Sequence, residues 1–244
     1  MQWRLKKIFI LSIFALLLFS LMEVRAEGYL SPKKLNEIKK QYGQDAYKRV
    51  QQWMVLLRQK KISTDREKLT LVNQFFNRVH FISDLEHWHK EDYWATPLET
   101  LISNGGDCED FSVAKYFTLT EMGINMKQLR LTYVKSLSLN QAHMVLSYFP
   151  LDQKEPLILD NLIPEIKPAS QRKDLLPVYS FNGKELWIKK EKSENSWIEV
   201  GKSSRIRLWE NLLSKYSSEM INSNQRKTSV STIKTNKGVH HEPL

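Results

Sequence analysis

Asn104-Gly105-Gly106-Asp107-Cys108-Glu109-Asp110-Phe111-Ser112-Val113-Ala114-Lys115-Tyr116-Phe117 sets two glycines and the only cysteine of the chain directly before an apolar run. From Asp107 to Met122 the apolar residues Phe111, Val113, Ala114, Phe117, Leu119 and Met122 cover more than one helical face, and Gly123 stands where a helix can close. The spacing predicts a buried central helix with Cys108 in its first turn. Just upstream, Thr96-Pro97-Leu98-Glu99 has the form of a capping box with proline at the first helical position. It opens a short helix that ends at Asn104-Gly105-Gly106, where the glycines are expected to let the backbone turn sharply.

Further toward the N-terminus, Ser31-Pro32 reads as a helix start, and Ala46, Val50, Trp53 and Leu57 form one apolar stripe. Residues 32–60 are expected to be helical, with a break near Gly43. Asp65 is expected to cap a second helix over 66–80, in which Leu69, Val72, Phe76 and Val79 share a face. Phe81 to Ala95 has no sustained period and reads as a long loop of the kind that lines sites. Beyond the central helix, Leu129–Val134, Ala142–Phe149, Leu157–Asp160, Val178–Phe181 and Leu186–Lys189 read as strands between Pro, Asn and Gly turns. Helices followed by strands predict an α+β fold with an antiparallel sheet.

Composition narrows the field. The 244 residues include seven Trp, nine Tyr and ten Phe, enough to bury a core, which excludes disorder throughout; the length excludes several large domains. One cysteine excludes both a disulfide framework and a thiolate-dominated zinc site. Arg4, Lys6 and Lys7 precede the apolar run Ile8 to Met22, and Val24-Arg25-Ala26 offers a cleavage site, so residues 1–26 read as an export signal, or as an anchor if uncleaved. Its removal takes away four basic residues and one acidic one, lowering the formal charge from +10 to +7 and leaving a soluble mature form. The basic residues are scattered without a recognition module, so nucleic acid is not an expected partner. The catalytic-size domain spans 27–213, and 214–244 is expected to be a disordered polar tail.

A cysteine at a helix start meets unpaired N–H groups and the positive end of the dipole, which favour a thiolate and can cradle an oxyanion. His143, on a strand after a turn, is a candidate proton acceptor, and Asp160, on the next strand, can orient its imidazole. Each residue also has an ordinary reading: a packing cysteine, a locally satisfied histidine, a turn aspartate. Asp107, Glu109 and Asp110 flank the sulfur and should oppose its ionisation unless a cation neutralises them; their hard oxygens suit calcium. Without a metal, Asp107 would cap the helix and Asp110 would complement its dipole. His80, His87 and His89 fit no metal motif on a single helix.

Gly106 to Phe111 with Ala114-Lys115-Tyr116-Phe117, then His143-Met144-Val145-Leu146 and Leu159-Asp160-Asn161-Leu162, resembles the bacterial transglutaminase-like cysteine proteinases. Asp92-Tyr93-Trp94-Ala95-Thr96-Pro97 and Pro177 to Asn182 extend the likeness over roughly Phe81 to Trp187. The resemblance implies a papain-like or transglutaminase-like core with Cys108 as nucleophile, His143 as general base and acid, and Asp160 as the orienting carboxylate. It implies calcium held by Asp107 and Glu109, together with Asp110. It further implies a periplasmic endopeptidase that clips the N-terminal region of a large biofilm adhesin, with a LapD-like inner-membrane receptor holding it inactive when cyclic di-GMP is high. Two rivals remain: acyl transfer to an amine or in the cell wall, as a transglutaminase or amidase, and a non-catalytic calcium-binding module. The second oxyanion donor is expected from upstream sequence, with Trp94 as the residue considered.

Overall fold

The computed structural model describes residues 29–61, 64–151, 155–190 and 197–220. The expected export signal lies outside the described residues. Helix α1, Pro32–Arg58, starts where Ser31 Oγ accepts the Lys34 N–H at 3.2 Å. It breaks where expected: Gly43 has φ 88° and ψ 178°, a conformation that side chains with a Cβ avoid. The stripe of Ala46, Val50, Trp53 and Leu57 is buried.

Helix α2, Asp65–Phe76, departs from expectation at both ends. Thr64, not Asp65, is the cap: its hydroxyl takes the Glu67 N–H at 3.3 Å, and the Glu67 carboxylate takes the Thr64 N–H at 2.7 Å. Asp65 is thereby free to accept from Tyr148 at 3.1 Å. The helix stops four residues early because His80–Phe81 forms a strand, β1, paired in parallel with Gly105–Gly106, β2. The expected loop after it holds a short helix, α3, Asp84–Trp88. Helix α4, Pro97–Ser103, has the expected capping box and ends on Asn104 at φ 56°.

Neither Gly105 nor Gly106 has a positive φ, so the expected turning role is not theirs. They permit close approach instead. A Cβ on Gly105 would lie 2.8 Å from both His87 Cε1 and Ile82 Cδ1, and one on Gly106 would lie 2.7 Å from Asp110 Cβ. Helix α5, Cys108–Glu121, follows as the expected central helix, with Phe111 to Leu119 buried and Gly123 at φ 87° beyond its end.

Seven strands make an antiparallel sheet. They are β3 (Leu129–Ser136), β4 (Gln141–Tyr148), β5 (Leu157–Leu159), β6 (Lys167–Pro168), β7 (Leu175–Phe181), β8 (Glu185–Lys189) and β9 (Trp197–Lys202). Their spatial order is β6-β5-β4-β3-β7-β8-β9. Leu131, Leu146 and Leu159 stand in register across β3, β4 and β5 and join the same core as α5. Val134, Val145, Ile158 and Leu175 form a second, smaller cluster. Strands β6 and β9 escaped the sequence reading, the first for its two-residue length, the second because Lys, Glu and Ser crowd the stretch before it.

The chain closes on a helix, α6, over 207–220. The tail boundary expected at Leu213 therefore falls inside a helix; residues 221–244 lie outside the described ones. Trp209, Leu212 and Tyr216 are buried on one face of α6, and the Phe117 ring stacks with Trp209 at 5.6 Å and Tyr216 at 4.0 Å. The last of these aromatics is what the reading of an apolar-poor tail overlooked. Among the described residues no helix is long and apolar enough to cross a membrane.

Candidate active site

Cys108 is the first residue of α5, and two devices fix it there. The Ile82 N–H donates to the Gly106 carbonyl at 3.0 Å, tying β2 to β1, and the missing Cβ of Gly106 lets Asp110 fold back under the loop. From the other side Ser112 Oγ donates to the Met144 carbonyl at 3.0 Å, pinning the first turn of α5 to β4. The Met144 N–H is aimed at the Cys108 sulfur, so the thiol sits against the backbone next to His143.

His143 is 3% exposed, and its Nε2 lies 2.8 Å from Asp160 Oδ1. That contact leaves Nδ1 as the ring nitrogen available for proton exchange. Asp160 is buried just beyond β5. Its Oδ1 also accepts the Leu162 N–H at 3.0 Å, and its Oδ2 accepts Arg172 at 2.7 Å. Burial alone would raise its pKa, but the bonds from His143, Leu162 and Arg172 outweigh it and hold the carboxyl at about 2. Arg172 is itself gripped by Asp174 at 2.8 and 3.0 Å. Lys115, fully buried two turns along α5 from Cys108, is pushed down to about 7 by burial, against the pull of the Asp160 charge.

Burial pushes the Cys108 thiol's pKa far up, followed by the charge of Glu109, whose Oε2 lies 2.9 Å from Sγ, and the charge of Asp107; the Met144 N–H opposes them. Burial first, and the flanking carboxylates after it, thus outweigh the Met144 N–H.

Those carboxylates are part of a larger group. Ligand oxygens of Asp84, Asp107 and Asp110 lie within 4.8 Å of one another, as do those of Asp84, Asp92 and Glu109. Asp84 and Asp110 are 4% and 0% exposed, and Asp84 Oδ1, Asp107 Oδ1 and Asp110 Oδ2 are buried without a hydrogen-bond partner. Asp107 makes no side-chain cap bond, so the capping role open to it in the sequence is not taken. Burial first, then mutual repulsion, raises Asp84 to about 6 and Asp107 to about 10. Buried acceptors without donors, all of one sign, fit a hard divalent cation. Asp84 and Asp92 were missed in the sequence because they lie in the aperiodic stretch before α4. Among the described residues no group of potential ligands includes a histidine.

The Trp94 indole hydrogen-bonds the Asp92 carboxylate, and its ring stacks on Phe181 at 5.9 Å.

No curated protein matches the sequence. Among solved structures, Legionella pneumophila LapG is 41% identical in its EGTA-treated form, covering 77% of this chain and 98% of that one with a TM-score of 0.66. Its calcium-bound form is likewise 41% identical, covering 77% and 99% with a TM-score of 0.64. The family model for the bacterial transglutaminase-like cysteine proteinases matches residues 45–205, a span that takes in α5, His143, Asp160 and all the carboxylates. Fold, motif and match agree: the chain belongs to the bacterial transglutaminase-like cysteine proteinases.

Proposed function

We propose that the protein is a calcium-dependent periplasmic cysteine endopeptidase that cleaves the N-terminal region of a large surface adhesin and so releases it, promoting biofilm dispersal. The observation that carries this reading is the bonded His143–Asp160 pair beside a cysteine at a helix N-terminus. His143 Nδ1 takes the thiol proton, and the Cys108 thiolate attacks a peptide carbonyl. The resulting oxyanion is stabilised by N–H groups at the start of α5, and the imidazolium returns the proton to the leaving amine. Water, deprotonated by the same imidazole, then attacks the thioester and frees the acid and the thiol. Asp160 fixes the ring and its charge throughout.

Asp107, Glu109 and Asp110, together with Asp84 and Asp92, would hold the calcium. When bound it supplies positive charge that offsets the carboxylates opposing thiolate formation. LapG from Legionella has been seen both calcium-bound and EGTA-treated, which supports this assignment. A LapD-like inner-membrane receptor responding to cyclic di-GMP is the proposed regulator, and the export signal expected over 1–26 supports the compartment.

The test is incubation of the purified chain with the N-terminal region of a candidate adhesin, with and without EGTA, beside Cys108→Ala. Cleavage abolished by both is expected, with product masses of a simple hydrolysis. Cleavage by Cys108→Ala would remove the proposed nucleophile; activity in EGTA would remove the metal; a mass matching an amine adduct would convert the enzyme to a transglutaminase.

A further inference from the structure

We propose that Lys215, on the C-terminal helix α6, is a positioning residue for the carboxylate site, acting through the strap 92–95. The inference rests on the calcium reading above.

The strap has two sides. On its inner side the Tyr93 N–H donates to Asp84 Oδ2, and the Ala95 N–H donates to Asp110 Oδ1 at 2.7 Å. The Trp94 indole bonds Asp92. Three consecutive residues thus each orient one carboxylate, and for Asp84 and Asp110 the other oxygen is the one left without a partner. That division aims the free oxygens.

On the outer side the Lys215 ammonium holds two of the three, Tyr93 and Trp94, while Lys90 Nζ lies over the Tyr93 ring at 4.1 Å. Lys215 Nζ donates to Tyr93 Oη at 2.8 Å and to the Trp94 carbonyl at 3.0 Å, and lies 4.1 Å from the Tyr93 ring centroid. It is anchored in turn by Glu99 at 2.6 Å, and Glu99 also accepts from Tyr93 Oη at 2.8 Å. One turn on, Glu219 accepts from Thr96 Oγ1 at 2.9 Å. Helix α6 is fixed to α5 by the Phe117 stacks, so Lys215 references the strap to the same helix that begins with Cys108. Partners that orient metal-binding groups from outside commonly carry a large share of affinity.

The sign of the effect separates positioning from simple charge. Removing a nearby cation would by itself tighten calcium binding; losing the strap's anchor weakens it. The experiment is calorimetric titration of the chelator-stripped full chain with calcium alone, for wild type, Lys215→Met, Lys215→Arg and Glu99→Gln, with Tyr216→Phe as a control. Tyr216→Phe, on the same helix as Lys215, removes the 3.3 Å bond to Glu121 at the end of α5 and leaves the strap alone. Lys215→Met is expected to lower affinity roughly tenfold, with Lys215→Arg near wild type and Tyr216→Phe unchanged. Glu99→Gln preserves the capping box but not the charge, and is expected to fall between them, which keeps the test in hand should Lys215→Met fail to fold. The rise in melting temperature on adding calcium should shrink in Lys215→Met, whereas a purely structural loss lowers both curves equally. Equal or tighter binding by Lys215→Met overturns the proposal. Absence of binding by wild type overturns the calcium reading and, with it, the strap.

Discussion

Asp160 is held on both oxygens, by His143 on one and by Arg172 on the other. Its folded pKa of about 2 lies below the ordinary carboxylate value, so the ionised form stabilises the fold above roughly pH 4. As pH falls toward 2 the proton returns in both states and that contribution is lost. From about pH 6 to about pH 3 the wild type should therefore lose about 1 kcal/mol that Asp160→Asn does not lose, measured by urea unfolding at each pH. Cys108, His143 and Asp160 were legible as candidates because their types and local settings announce chemistry. Arg172 was not: an arginine twelve residues beyond Asp160, at the end of a 3-10 turn, has no local signal, and only the return of the chain along β6 brings it to Oδ2.

Among the elements, α5 depends on the flat pair β1 and β2 before it. Gly106→Ala would force a Cβ to within 2.7 Å of Asp110 Cβ and Oδ2, both part of a buried residue with little room to yield. We expect a loss of about 1–3 kcal/mol by thermal or urea unfolding, accompanied by displacement of Asp110 from the Ala95 N–H. Short-range devices were the legible part at this scale. The Thr96 box, the Gly43 break and the α5 span are fixed by residues within a turn of each other, and the register of leucines across β3–β5 follows from alternation. The Asp65 cap failed by one residue because threonine and glutamate satisfy two N–H groups reciprocally where a lone aspartate satisfies one. Strand β1 failed because its two residues are set by a partner twenty-five positions away rather than by period.

For the molecule as a whole, the last described helix is a structural member rather than a trailing segment. A chain ending after Leu213 loses Tyr216, and the lost aromatic packing should cost roughly 3 kcal/mol in urea unfolding, while one ending after Met220 keeps it. The site's parts also differ in when they can meet. His143 and Asp160 are 17 residues apart, and Ser112 and Met144 are 32 apart, whereas Lys215 reaches back 122 residues to Tyr93. A chain that emerges N-terminus first can bring Cys108, His143 and Asp160 together while α6 is still being delivered. The strap closes only with that helix. Arrival of α6 is thus a natural clock for the carboxylate site: a shorter chain holds Cys108, His143 and Asp160 while the strap beside them still lacks its outer support.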